Sequence, residues 1–247
     1  MVDWTPLSVG LYHKAVANAA KVGERIGEFL CWMHNVGAMR LSELHMVGLS
    51  LAGGVMGVAG EYVKHCCGQL IHRITGTKIR RYFTYGITKL LVGPFYSDLT
   101  GLDPARPGYE PPYEGVRRIY PEDANYVDII HTNTELLGYG ITECWGHADF
   151  FVNGGVRQPE CSVLNASKCR VWPMVFIFAT CLSSRGCYNT AVYSVACSHI
   201  ASAFHLAETI VNMEQTPRCA CATAEEFKRN PDCCDVQVIF GEHSDPT

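Results

Sequence analysis

Val16, Ala19, Val22, Ile26, Phe29, Leu30 and Met33 recur every three or four residues, which predicts an amphipathic helix over 12–36. Lys14, Lys21, Glu24 and Arg25 fill much of the rest of its surface. Leu44 to Leu49 is a short apolar run that reads as a buried strand, and a second helix is predicted from about Leu51 to His65. That helix carries Gly53, Gly54, Gly57 and Gly60, each costing it about 1 kcal/mol relative to alanine. So many glycines make sense if one face must press closely on a sheet or on the preceding helix. Further along, "DLTGLDP" (98–104) predicts a strand ending in a turn at Asp103-Pro104, and "YVDIIHT" (126–132) another apolar strand. "CSHIASAFHLAETI" (197–210) predicts a helix with Cys197 or Ser198 at its start and His199 in its first turn. Strands alternating with helices imply an α/β fold with parallel strands, whose carboxyl ends carry functional residues.

Composition narrows the function classes. The 247 residues are 48% hydrophobic and 18% charged, as in a globular protein, and are enough to bury a sizeable core. Twenty basic and twenty-four acidic residues give −4, which argues against nucleic acid as a partner. The apolar run from Val171 to Cys181 contains a proline and is shorter than the roughly 20 residues of a bilayer span, so no transmembrane helix is expected. Thirteen cysteines are many for a cytosolic protein, and they lack the paired C-x-x-C spacing of a zinc site. With the sequon Asn165-Ala166-Ser167 they point to an oxidising compartment and glycosylation at Asn165. Nothing resembling a signal peptide precedes Asp3 and Trp4, so a missing N-terminal part is expected. No cofactor is expected.

Ser50 stands at the junction of predicted strand and helix, in "HMVGLSLAGGVMGVAG" (45–60), with Gly48 and Ala52 two positions either side. A serine on a tight strand-to-helix turn between small residues is the layout of a nucleophile elbow, usually spelled G-x-S-x-G. Five more phrases stand beside it in order: "TGLDPARP" (100–107), "DANYVDIIHTN" (123–133), "GHADFFVNGG" (146–155), "RQPEC" (157–161) and "CSH" (197–199). Together, with "VDW" at 2–4, they resemble the animal pancreatic-type lipase family, which includes insect neutral lipases and secreted sn-1 phospholipases. The resemblance covers most of the chain, from Val2 to about Glu242.

This resemblance implies one α/β-hydrolase domain over 1–247, a mostly parallel sheet flanked by helices and incomplete on its N-terminal side. It implies Ser50 as nucleophile, Asp103 as acid and His199 as base, with the Leu51 N–H as an oxyanion donor. The implied reaction is carboxylic ester hydrolysis through an acyl-serine, on triacylglycerol or on a phospholipid sn-1 ester at a lipid–water interface, by a secreted protein. An inactive yolk-type storage or lipid-binding protein of the same fold is the alternative. Asp128 is a rival acid, whereas His131 and His147 are expected to make structural hydrogen bonds.

Several positions depart from the family pattern. Leu49 stands where histidine is usual, and Ala52 where glycine is usual. The "HG" loop that would supply a second oxyanion donor is not in this sequence. Residues 77–101 read as an insertion or a gene-model error between the phrases "RITG" and "DLTG". Residues 161–197 correspond to a lid closed by a cysteine pair, here Cys161 and Cys197, with Trp172, Phe176 and Phe178 suited to a lipid surface. The calcium region matches "GVRRIYPEDA" (115–124), where Arg118 and Asp123 fit but Gly115 and Tyr120 replace carboxylates, so no metal is expected. Neither a C-terminal β-sandwich nor colipase binding is expected.

Overall fold

A computed structural model describes residues 2–74, 103–135, 138–161, 190–211, 217–220, 236–241 and 244. Four parallel strands form the sheet in the order β1 (His45–Met46), β2 (Ile71–Ile74), β3 (Ala124–His131) and β4 (Ala148–Phe151). His45 lies opposite Arg73, Arg73 opposite Tyr126, and Asp128 opposite Ala148. β3 is buried along nearly its whole length, as a central parallel strand should be. β1 is shorter than the apolar run suggested, with only two residues in the ladder; beyond it the chain turns through Gly48 towards the serine.

A short helix α1 (Thr5–Ser8) leads into α2 (Tyr12–Asn35), close to the predicted 12–36. The face that α2 buries is narrower than its apolar pattern: Phe29 is 55% exposed, and its ring lies against the equally exposed Trp32. Gly23 and Gly27 lie on the buried face instead. A Cβ on Gly23 would sit 2.6 Å from the Val55 carbonyl oxygen, and one on Gly27 would sit 2.6 Å from the Tyr62 Cβ. Both neighbours belong to α3 (Ala52–Cys67), which ends at Gly68 in the left-handed conformation favoured after a helix.

The glycines of α3 face elsewhere than the preceding helix. Gly53 meets Pro104 at 3.3 Å, Gly57 the Ile119 Cα at 2.8 Å, and Gly60 the Asp123 carbonyl oxygen at 2.6 Å. They admit the 104–123 connection, while the approach of α2 depends on its own glycines. Gly27→Ala should therefore lower the thermal midpoint: overpacking costs about 1–3 kcal/mol, against about 1 kcal/mol gained in helix propensity.

The last helix, α4, spans Thr190–Val211. It begins well before Cys197, so His199 sits in its interior and Ser198 is not its cap; the apolar residues before Cys197 continue the helical run. An antiparallel pair, β5 (Pro217–Ala220) and β6 (Val236–Ile239), follows. One core cluster joins α2 and α3 to the sheet through Val16, Val63, Ile71, Ile74 and Val127. A second gathers Leu49, Ile130, Phe150, Leu206 and Phe240. Among the described residues no helix is long and apolar enough to cross a membrane. Residues 77–101, Asn165, Trp172, Phe176 and Phe178 lie outside the described residues.

Candidate active site

Ser50 follows β1 on the turn into α3 and has φ +58°, a left-handed conformation that costs a side chain about 1–2 kcal/mol. The turn is closed by the Ala52 N–H donating to the Leu49 carbonyl at 3.0 Å and the Gly53 N–H to the Ser50 carbonyl at 3.1 Å. Gly48 keeps it open: a Cβ there would lie 2.7 Å from the end of Met56 and 3.0 Å from the Ala52 methyl. The Leu51 N–H has no partner among the described residues. Leu49, in place of the histidine of the family pattern, is buried beside Ile130 and Phe150, where an imidazole would lose its water.

Asp103 also adopts a left-handed backbone, φ +52°, and its carboxylate is wholly buried. Oδ1 accepts from the Thr132 N–H at 2.9 Å and the Asn133 N–H at 3.1 Å, just beyond β3. Oδ2 lies 2.7 Å from His199 Nδ1. Two backbone donors on one oxygen leave the other for the imidazole. Gly140 completes the wall, since a Cβ there would overlap the Asp103 carboxylate. His199 is 8% exposed, with the Tyr139 ring edge-on at 5.6 Å.

Asp103 and His199 are thus hydrogen-bonded, and the Ala105 N–H donates to the Ser50 carbonyl at 3.3 Å, tying the turn after Asp103 to the elbow. Among the described residues no hydrogen bond joins the Ser50 hydroxyl to the imidazole. Asp128 is instead taken up by Arg73, with Nε to Oδ1 at 3.0 Å and Nη2 to Oδ2 at 2.9 Å. His131 Nε2 lies 2.7 Å from Asp149 Oδ1, and His147 Nδ1 accepts from the Val127 N–H at 2.9 Å. In the calcium-region segment, Asp123 is held by Arg117 at 2.5 and 2.9 Å. Burial pushes the Asp123 carboxyl above its ordinary range, with Arg117 pulling the other way.

A family model described as Lipase matches residues 1–84 and 96–238. The chain belongs to the Lipase family. The interruption of that match, 85–95, lies inside the 77–101 segment. This Lipase-family chain is 34% identical to the hepatic triacylglycerol lipase of Oryctolagus cuniculus, over 68% of the chain and 29% of the relative. It is 27% identical to pancreatic lipase-related protein 2 of Myocastor coypus, over 93% of the chain and 41% of the relative. It is 34% identical to phospholipase A1 member A of Mus musculus, over 65% and 28%. The chain therefore spans well under half the length of these relatives. Its parallel sheet flanked by helices is that of an α/β hydrolase.

Sequence reasoning missed Gln158, the second residue of "RQPEC", which joins the site's supports in this Lipase-family chain. It is fully buried; its N–H donates to Ser198 Oγ at 3.0 Å, beside His199. Its Nε2 faces the carbonyls of Thr132, Val152 and Val156 at 3.0–3.1 Å. Its Oε1 accepts from Asn153 Nδ2 at 2.8 Å and lies 3.2 Å from His205 Nε2. The loop that binds Asp103 and the helix that carries His199 are fastened through this one amide. Gln158→Leu leaves those carbonyls unsatisfied and should destabilise by about 2–3 kcal/mol, read as a shift in the urea midpoint. Its only sequence signal was membership of the motif. A disulfide joins Cys161 to Cys197, closing the stretch between Gln158 and His199.

Proposed function

We propose that this chain is the catalytic part of a secreted serine ester hydrolase acting on neutral lipid or phospholipid through an acyl-serine. The observation that carries the reading is the buried 2.7 Å contact of His199 Nδ1 with Asp103 Oδ2, in a chain whose Ser50, held at φ +58° on a strand-to-helix turn, is tied to the turn after Asp103 by the Ala105 N–H. With Nδ1–H donated to the carboxylate, Nε2 is free to take the Ser50 proton as Oγ attacks the ester carbonyl. The Leu51 N–H stabilises the oxyanion that forms; such a donor is worth about 2.7–4 kcal/mol of barrier. His199 then returns the proton to the leaving alcohol, and a water activated by the same nitrogen releases the fatty acid.

The substrate class rests on what the relatives are named for, triacylglycerol lipase and phospholipase A1, and on the aromatic residues Trp172, Phe176 and Phe178 between Cys161 and Cys197. That segment acts as a lid at the lipid–water interface, in a secreted protein glycosylated at Asn165.

A fluorophosphonate probe tests the chemistry. Incubation with the folded chain should leave a phosphonyl adduct on the peptide containing Ser50, absent after prior unfolding and absent in Ser50→Ala. A folded sample that takes up no adduct refutes the hydrolase and favours the inactive lipid-binding alternative.

A further inference from the structure

The contact between α2 and α3 continues past its glycines. Gly23 lies against Val55 and Val58, and Gly27 against Tyr62. One turn further along α2, Cys31 meets Cys66 and Cys67 at the end of α3. The helices run in the same direction through this contact, and two glycines let their axes come close. Sulfurs from both helices consequently converge at one end. The Cys67 and Cys31 Sγ atoms are 3.0 Å apart, and all three Sγ atoms lie within 4.8 Å of one another. Cys31 is buried, Cys67 half-buried and Cys66 exposed, so the cluster has an apolar floor and an open mouth.

We propose that Cys31, Cys66 and Cys67 form a three-sulfur site for a thiophilic d10 cation of the zinc type, clamping α2 to α3. At a zinc–sulfur distance of about 2.3 Å, tetrahedral coordination separates sulfurs by roughly 3.8 Å, so small side-chain shifts suffice. Each ligand forms one sulfur–metal bond and releases its thiol proton to solvent, without a change of oxidation state. Water on the exposed side of Cys66 completes the shell. A disulfide would use only two of the three sulfurs, and these cysteines stand as thiols in a structure that bridges Cys161 to Cys197. The site lies at the opposite end of α3 from Ser50 and is independent of ester hydrolysis.

The test uses the full chain under anaerobic, mildly reducing conditions, alkylated with iodoacetamide with and without added Zn2+. Mass spectrometry reads the rate at each cysteine, with the exposed thiol Cys144 as internal reference. Zn2+ should slow alkylation of Cys66 and Cys67 at least ten-fold relative to Cys144, and a chelator should restore it. The protection of Cys67 should vanish in Cys66→Ser, a change at an exposed position that leaves the core intact. Equal alkylation with and without Zn2+ overturns the proposal. So does a disulfide between Cys31 and either neighbour in protein purified without reductant.

Discussion

Asp103→Asn should lower kcat for ester hydrolysis by about 10^4-fold and leave the chain folded. Asparagine suits the backbone: φ is +52°, a conformation that Asn adopts more readily than most side chains. The Thr132 and Asn133 N–H groups, which donate to Oδ1, would select the amide oxygen at that position. The amide nitrogen must then face His199 Nδ1, where the wild type has Oδ2. A donor facing Nδ1 forces the proton onto Nε2, the nitrogen that accepts from Ser50 in the proposed mechanism. The imidazole would keep its place and lose the basic role proposed for it. Steady-state hydrolysis of a short soluble ester, with circular dichroism as the folding control, checks this. A folded variant with near-normal turnover would remove Asp103 from the proposed mechanism.

Arg73→Met should destabilise the fold by about 3–5 kcal/mol, because it takes the two-pronged guanidinium contact away from a buried carboxylate, that of Asp128. The guanidinium makes a two-pronged contact with Asp128 from the neighbouring strand and donates to the Gly241 carbonyl at 2.8 Å. It also lies 5.3 Å from the centre of the Tyr126 ring. Lysine cannot reproduce that fork, so Arg73→Lys should recover only a small part. The double variant Arg73→Met/Asp128→Leu should recover most of the loss, since a buried pair replaced whole by apolar groups is often near neutral. Denaturant midpoints for the set separate these outcomes, and equal loss in the single and double variants would contradict the argument.

Elements set by local periodicity were legible in the sequence. The 3.6-residue repeat placed α2 within a residue at each end, and the apolar run after Asp123 located β3. Long-range choices were not. Nothing local shows whether Phe29 or Gly27 faces α3, because that depends on which partner arrives. The start of α4 was missed because Ser198 looks like a cap; its hydroxyl instead accepts the N–H of Gln158, forty residues earlier in the chain. The motif spelling proposed Ser50, Asp103 and His199, but Asp128 could be set aside as an acid only once Arg73 was seen against it. Gln158, Gly140 and the three converging thiols left no periodic trace at all.

Phe240 packs under the same cluster as Leu49, the residue before the elbow serine, and Ser244 bonds the Tyr126 hydroxyl. The stretch after β6 is therefore a wedge driven back beneath the turn that carries Ser50. Removing the Phe240 ring would unseat the floor of that turn, whatever becomes of the strands on either side.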